Sequence, residues 1–301
     1  MVYATLSTLL HGDSEVPPAG ECHLITDSLE ADGNFLLHHY VSAFLRAATG
    51  STSSSQPSVI LISTSQIFSH YAAIGKKLGM NLVAAKAKGQ LYFMDLLTRF
   101  TAMPAHADAA TEEMSRPDIA TYKLPTVPNC SLAWMPQTGT ASTIDWEASL
   151  QQVITKLMEL CRAGSNGSTA RTAIIIDDVT ALLFAGCPVQ TLVAFVRAVR
   201  RLCDTHGVNL VILAHDDLTF ESDVEHDLCL RMVARLPHVV LAVQGLDSGV
   251  SRDVHGQVTL MRGAARMDTA RAATFHPRLL HYRLLENGAQ FFAPGYAASV
   301  I

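Results

Sequence analysis

Hydrophobic positions along the chain fall into two kinds of pattern, and the two alternate. A short apolar run at Leu24 and Ile25 breaks into a polar turn. Leu36, Leu37, Tyr40, Val41, Phe44 and Leu45 then follow with the spacing of one helical face. Val59–Ser63 (VILIS) is a continuous β-branched run, as expected of a strand buried on both faces of a parallel sheet. A helix from about Gln66 carries Phe68, Tyr71, Ile74 and Leu78 on one side, and Gly79 is its expected stop. Asn81–Ala84 reads as a further short strand. In Gly89–Phe100 the apolar residues Leu91, Phe93, Leu96, Leu97 and Phe100 fit a strand or a helix at the start equally well.

The alternation stops at Ala102 and resumes after Asp145. Five of the twelve prolines lie between (Pro104, Pro117, Pro125, Pro128 and Pro136), so 102–145 reads as an insertion in one domain spanning 1–301. Residues 51–58 form a Ser-rich loop. Beyond the insertion, a helix over Trp146–Arg162 leads to the strand Ala173–Ile176. The helix Val189–Cys203 precedes the strand Asn209–Leu213, and a helix near Glu221–Arg235 precedes the strand Val239–Val243. Turns then replace helices. Gly256–Met261, His281–Leu285 and Ala289–Ala293 are strand-like, with Glu286-Asn287-Gly288 as a hairpin signal. The expected class is α/β, a mostly parallel sheet flanked by helices and finished by antiparallel C-terminal strands.

Composition changes this picture little. The chain has 301 residues, 49% of them hydrophobic and 16% charged, ample for a buried core. A net charge of −5 supplies no bulk attraction to nucleic acid, so any RNA contact needs a local patch or a partner. The six cysteines are scattered without a C-x-x-C pair, which fits buried thiols in a reducing compartment. MVYATLSTLLHGD lacks the basic start and long apolar core of a signal peptide. Nothing approaches the roughly 18 uninterrupted apolar residues of a membrane span.

The candidate chemistry sits on the loop between the first strand and helix, HLITDSLEADGNF (His23–Phe35), where an NTPase would carry G-x-x-x-x-G-K-[ST]. On that frame Ser28 takes the first glycine, Gly33 the second, Asn34 the lysine and Phe35 the hydroxyl. Only Gly33 conforms. Glu30 and Asp32 also place negative charge where an anion would bind. Asp177 and Asp178, after AIII, have the form of a Walker B strand, whose carboxylate organises Mg²⁺ in an active enzyme. Without the lysine and hydroxyl they are expected to cap the following turn or meet a neighbouring subunit. An active ATPase with an atypical phosphate loop is the alternative.

Several further groups carry a chemical reading beside a structural one. His215, Asp216 and Asp217, with Glu221, Asp223, His226 and Asp227, could gather a metal, but helix capping accounts for them. No metal, no cofactor and no catalytic residue is expected. No G-x-S-x-G is present, so a hydrolase triad lacks its nucleophile elbow. His38 and His39 must point different ways, one of them toward solvent. Arg197, Arg200 and Arg201 form a basic helix stripe, and Arg252 and His255 lie in the polar loop GLDSGVSRDVHGQV. These five are candidates for contact with RNA or another subunit. The bland reading of that loop is a local pair between Arg252 and Asp253.

TDSLEADGNFLLHHYVSAFL, QIFSHYAAIGKKLGMNL, KGQLYFMDLL, IIIDDVTALL, GVSRDVHGQV and FFAPGYAASV together resemble, in order and spacing, the family of the sixth Elongator subunit. That resemblance implies a RecA-like ATPase fold without a working Walker A loop. It implies a heterohexameric ring with the fourth and fifth Elongator subunits, two copies of each, beside the catalytic Elongator subcomplex. The ring would bind tRNA and support 5-carboxymethyl-type modification of the wobble uridine, the bond chemistry belonging to another subunit. Such a protein would work in the cytoplasm, with the nucleus as a second location.

Overall fold

The computed structural model describes residues 4–11, 14–48, 57–101, 144–162, 172–217, 223–246, 249, 251–267, 272–273 and 275–295. Nearly all of the Ser-rich loop and of the Pro-rich insertion lies outside them, as do Cys130, Glu221 and Arg271.

Six parallel strands form the body of one sheet: β1 (Cys22–Asp27), β2 (Val59–Ser63), β3 (Leu91–Asp95), β4 (Ala173–Asp177), β5 (Asn209–His215) and β6 (Val239–Gln244). Three antiparallel strands extend it: β7 (Gly256–Arg262), β8 (Arg278–Leu285) and β9 (Gly288–Phe292). The order is β3-β2-β4-β5-β1-β6-β7-β8-β9. All five residues of β2 and of β4 are buried, as continuous apolar runs require when both faces are covered. One face carries α1 (Ala4–His11), α2 (Asn34–Ala47), α3 (Phe68–Lys77) and α4 (Leu82–Ala87). The other carries α6 (Trp146–Arg162), α7 (Val179–Phe184), α8 (Val189–His206) and α9 (Val224–Val233), while α5 (Leu96–Thr101) follows β3.

The expected α/β class and hairpin are present, with three differences. Asn81–Ala84 is not a strand. The Asn81 side chain accepts the Ala84 N–H at 2.9 Å and so caps α4, whose apolar residues Leu82 and Ala85 face inward at helical spacing. The ambiguous stretch after Gly89 is both things in turn, β3 and then α5. Neither His38 nor His39 faces solvent: each residue from Leu36 to Phe44 is buried, because α2 is enclosed on every side. No described helix is long and apolar enough to cross a membrane.

Phe35 shows how the enclosure is completed. Its ring packs tilted against Tyr282 at 4.8 Å and approaches Phe291 at 6.3 Å, so the C-terminal hairpin closes over the start of α2. The side chain in the Mg²⁺-hydroxyl position is half-buried and packs against the core.

Candidate functional site

All six parallel strands end in a polar residue, and four of these lie side by side at the middle of the sheet: Asp27 on β1, Ser63 on β2, Asp177 on β4 and His215 on β5. Open α/β sheets bind ligands at this carboxyl edge, where the chain's direction across the sheet reverses. Here β1 feeds α2 and then β2 on one side, while β5 reaches β6 by passing over β1. The polar ends meet each other.

The turn after β1 is tight. Ala31 donates its N–H to Ser28 at 3.0 Å, and Gly33 stands at the N-cap of α2. The first N–H groups of such a helix are the natural place for phosphate. The protein's own carboxylates occupy them: Asp27 Oδ2 accepts the Gly33 N–H at 2.7 Å, and Asp32 Oδ1 accepts the Asn34 N–H at 2.7 Å. Gly33 sits in a tight place, since a Cβ there would lie 3.0 Å from Ile25 Cγ2 and 3.1 Å from Asp27 Cβ. Beside this turn is a cleft of about 430 Å³ whose lining includes Asp27, Glu30, Asp216 and Asp217. Its charge is that of a cation site, opposite to what a nucleotide polyphosphate needs.

His215 binds two of the strand ends together. Its Nδ1 lies 2.5 Å from Asp27 Oδ1 and its Nε2 3.1 Å from Asp178 Oδ2. Held between Asp178 and Asp27, the imidazole is pushed up to about 10, so both ring nitrogens donate at neutral pH. Burial pushes the Asp27 carboxyl up, opposed by the hydrogen bonds from His215 and Gly33.

Asp178 has a left-handed backbone (φ 58°) and caps α7, its Oδ1 accepting the Thr180 N–H at 2.9 Å and the Ala181 N–H at 3.1 Å. This is the capping role expected from the sequence. Asp177 cannot meet a neighbouring subunit, because it is fully buried. Its Oδ2 accepts from Tyr71 OH, from Ser65 Oγ at 2.7 Å and from Ser63 Oγ at 3.1 Å, and burial raises its pKa. The Walker B position is therefore a knot tying α3 and the β2–α3 turn to β4. Tyr71→Phe is expected to lower stability by about 1–3 kcal/mol, the cost of under-satisfying a buried polar group. Urea unfolding measures it, and a loss below about 0.5 kcal/mol would remove Tyr71 from the knot.

The basic candidates do not behave as one surface. Arg197 and Arg201 are exposed on α8, but Arg200 turns inward. It donates to the Gly20 carbonyl at 3.0 Å and pairs with Asp204 at 2.7 Å, so it is structural. His255 is stapled to β8: its N–H donates to the Tyr282 carbonyl at 2.8 Å, and its Nδ1 accepts the Leu284 N–H at 3.0 Å. Asp253 pairs with Arg283 at 3.5 Å in place of the expected Arg252, which is exposed. The acids around His215 serve ordinary ends: Asp223 caps α9, and Asp217 accepts the Leu29 N–H at 3.0 Å.

Sequence reasoning passed over Asp27, Tyr71 and Ser65 as site residues. The signal was present, because a polar residue at a strand's carboxyl end faces its neighbours' ends. The pairings themselves join residues as far apart as Asp27 and His215.

A nine-stranded sheet of this order, with a strand–turn–helix at the phosphate position that lacks the lysine and hydroxyl, defines a RecA-like α/β protein with a degenerate phosphate loop. A KaiC-like protein of the hyperthermophilic archaeon Pyrococcus horikoshii has this fold, with a TM-score of 0.54 and 8% identity over 95% of this chain and 94% of that one. The chain belongs to the family described as Elongation complex protein 6, whose model matches residues 3–120 and 137–286. Elongator complex protein 6 of Xenopus tropicalis is 29% identical over the full length of both chains, and the human protein of that name 25%. The Dictyostelium discoideum protein of that name is 22% identical over 92% of this chain and 91% of its own.

Proposed function

We propose that this chain is a non-catalytic accessory subunit of Elongator, building a RecA-like heterohexameric ring with the fourth and fifth subunits. In this reading the ring binds tRNA and supports wobble-uridine modification by the catalytic subcomplex. The observation that carries the non-catalytic part is the filling of the phosphate position. Asp27 and Asp32 take the Gly33 and Asn34 N–H groups that would cradle a phosphate, and the adjoining cleft is acidic. Asn34 brings no cation for a γ-phosphate, and Phe35 brings no hydroxyl for Mg²⁺. Membership of the Elongator family supports the rest.

Co-expression with the fourth and fifth subunits, followed by native mass, tests the assembly. The expected product is a heterohexamer with two copies of each chain. A monomer that ignores both partners would overturn the reading. Calorimetric titration of the isolated chain with ATP and Mg²⁺ is expected to give no binding at millimolar nucleotide, and saturable binding would reopen the ATPase alternative.

A further inference from the structure

Every residue from Gly33 to Met94 is something other than Asp or Glu, although the chain carries 27 acids in 301 residues. Four of the chain's six lysines lie in this run, at Lys76, Lys77, Lys86 and Lys88. All four are exposed, on the corner formed by α3 and α4 next to the edge strand β3. None is ion-paired to a carboxylate among the described residues.

The corner is built to hold its shape. Gly75 lets the helices touch, since a Cβ there would meet Leu82 Cγ at 2.9 Å. At the other end Lys86 Nζ lies 4.5 Å above the Phe68 ring. With Leu82 beside Gly75 and Lys86 over Phe68, α4 runs back along α3. The cations are spread over the roughly 13 Å that separate Phe68 from Lys77 at 1.5 Å per residue. Basic residues complement a helix C-terminus, and that accounts for a lysine at the end of each helix. It does not account for the absence of Asp and Glu from every position of α3, α4 and the turn between them.

We infer that the α3–α4 corner is the face this chain turns to the phosphate backbone of RNA, through Lys76, Lys77, Lys86 and Lys88. The inference rests on the tRNA-binding reading above and moves the contact away from the arginines. Protein–protein interface cores are depleted in lysine, whereas lysines neutralising phosphates supply most of the sequence-independent affinity for nucleic acid. Asn81 and Gln90 stand among the lysines and add uncharged polar groups to the same corner.

The test is anisotropy of labelled tRNA with the full chain, between 50 and 200 mM salt. The wild type is expected to bind with a salt-dependent affinity. Lys76→Ala, Lys77→Ala and Lys88→Ala combined should weaken binding roughly tenfold or more at 50 mM salt, and flatten the log–log salt slope by about one per lysine. Lys86 is left in place because it packs on Phe68. The corresponding triple arginine variant should bind like the wild type, and so should Arg197→Ala/Arg201→Ala and Arg252→Ala. Wild-type affinity and slope in the triple alanine variant would overturn the inference while leaving the tRNA reading intact. So would loss of the Elongator partners with RNA binding retained, which would give the corner to a protein. A wild-type chain that ignores tRNA would defeat the tRNA reading for this subunit and the inference with it.

Discussion

His215→Gln is expected to destabilise the protein by about 3 kcal/mol at pH 7, in the range for removing one member of a buried ion pair. The imidazolium lies between Asp27 and Asp178, and its loss leaves two carboxylates at the sheet edge without the cation that holds them together. A rise from 6.5 to about 10 would convert to more than this at 1.36 kcal/mol per pH unit. The His215 side chain is 35% exposed, and solvent screening reduces the figure. Because the folded-state pKa is raised, this stabilisation is complete below about pH 6.5 and is lost as pH climbs toward 10. Urea unfolding at pH 6, 8 and 9.5 measures the difference. The gap between wild type and variant should be widest at pH 6 and should narrow steadily upward. A gap that stays constant with pH would show that His215 contributes packing alone.

How much of this could be read from the chain follows from how local each signal is. The runs VILIS and AIIID announce their strands, because five consecutive buried positions suit only a sheet covered on both faces. The helix Trp146–Arg162 has its expected bounds, since its inward residues repeat over several turns. Asn81–Ala84 misleads because three consecutive apolar residues are too few to show a period, and what decides the matter is the hydrogen bond from Ala84 N–H to the Asn81 side chain. The helix α7 escapes because it is six residues long and starts from the left-handed Asp178, which no apolar pattern marks. The degenerate phosphate loop is legible, being a comparison of residue types within one segment. What fills it is not. Asp27 reaches Gly33 within the loop, but its second oxygen meets a histidine 188 residues away. Arg200 turns inward for the same kind of reason: the Gly20 carbonyl lies 180 residues from it.

The polar residues at the RecA-like sheet edge are partnered within the chain. In an active site those groups face a ligand, and their charges are balanced when it binds. Here each finds its partner within the chain: Asp27 with His215 and Gly33, Asp177 with Tyr71 and two serines, Asp178 with α7. These internal pairings tie the strand ends of the sheet edge to one another and to α3 and α7. Because several of these groups have shifted pKa values, stability depends on pH.

The steepest pH dependence should come from His38 and His39. Burial lowers the pKa of His38 to about 4 and that of His39 to about 3. Both rings therefore stay neutral in the folded protein and take up protons when it unfolds. The stabilisation is present above about pH 6.5 and is lost as pH falls, by about 2 kcal/mol for each histidine at pH 5. His206 and His238, also lowered by burial, act in the same direction. Asp27 and Asp177, raised by burial, oppose it by gaining protons in the folded state. The net loss between pH 6 and 4.5 is expected to run at about 1.4–2.7 kcal/mol per pH unit, the work of one to two protons. That is a large share of the roughly 5–15 kcal/mol of an ordinary protein's stability. His39→Leu keeps an apolar group of similar size in a fully buried position and should remove one proton's share of the slope, about 1.4 kcal/mol per pH unit. Urea midpoints at pH 7.5 and 5 read this directly: the variant should lose far less stability than the wild type over that interval. If both lose the same amount, the buried histidines are not what makes the fold sensitive to acid.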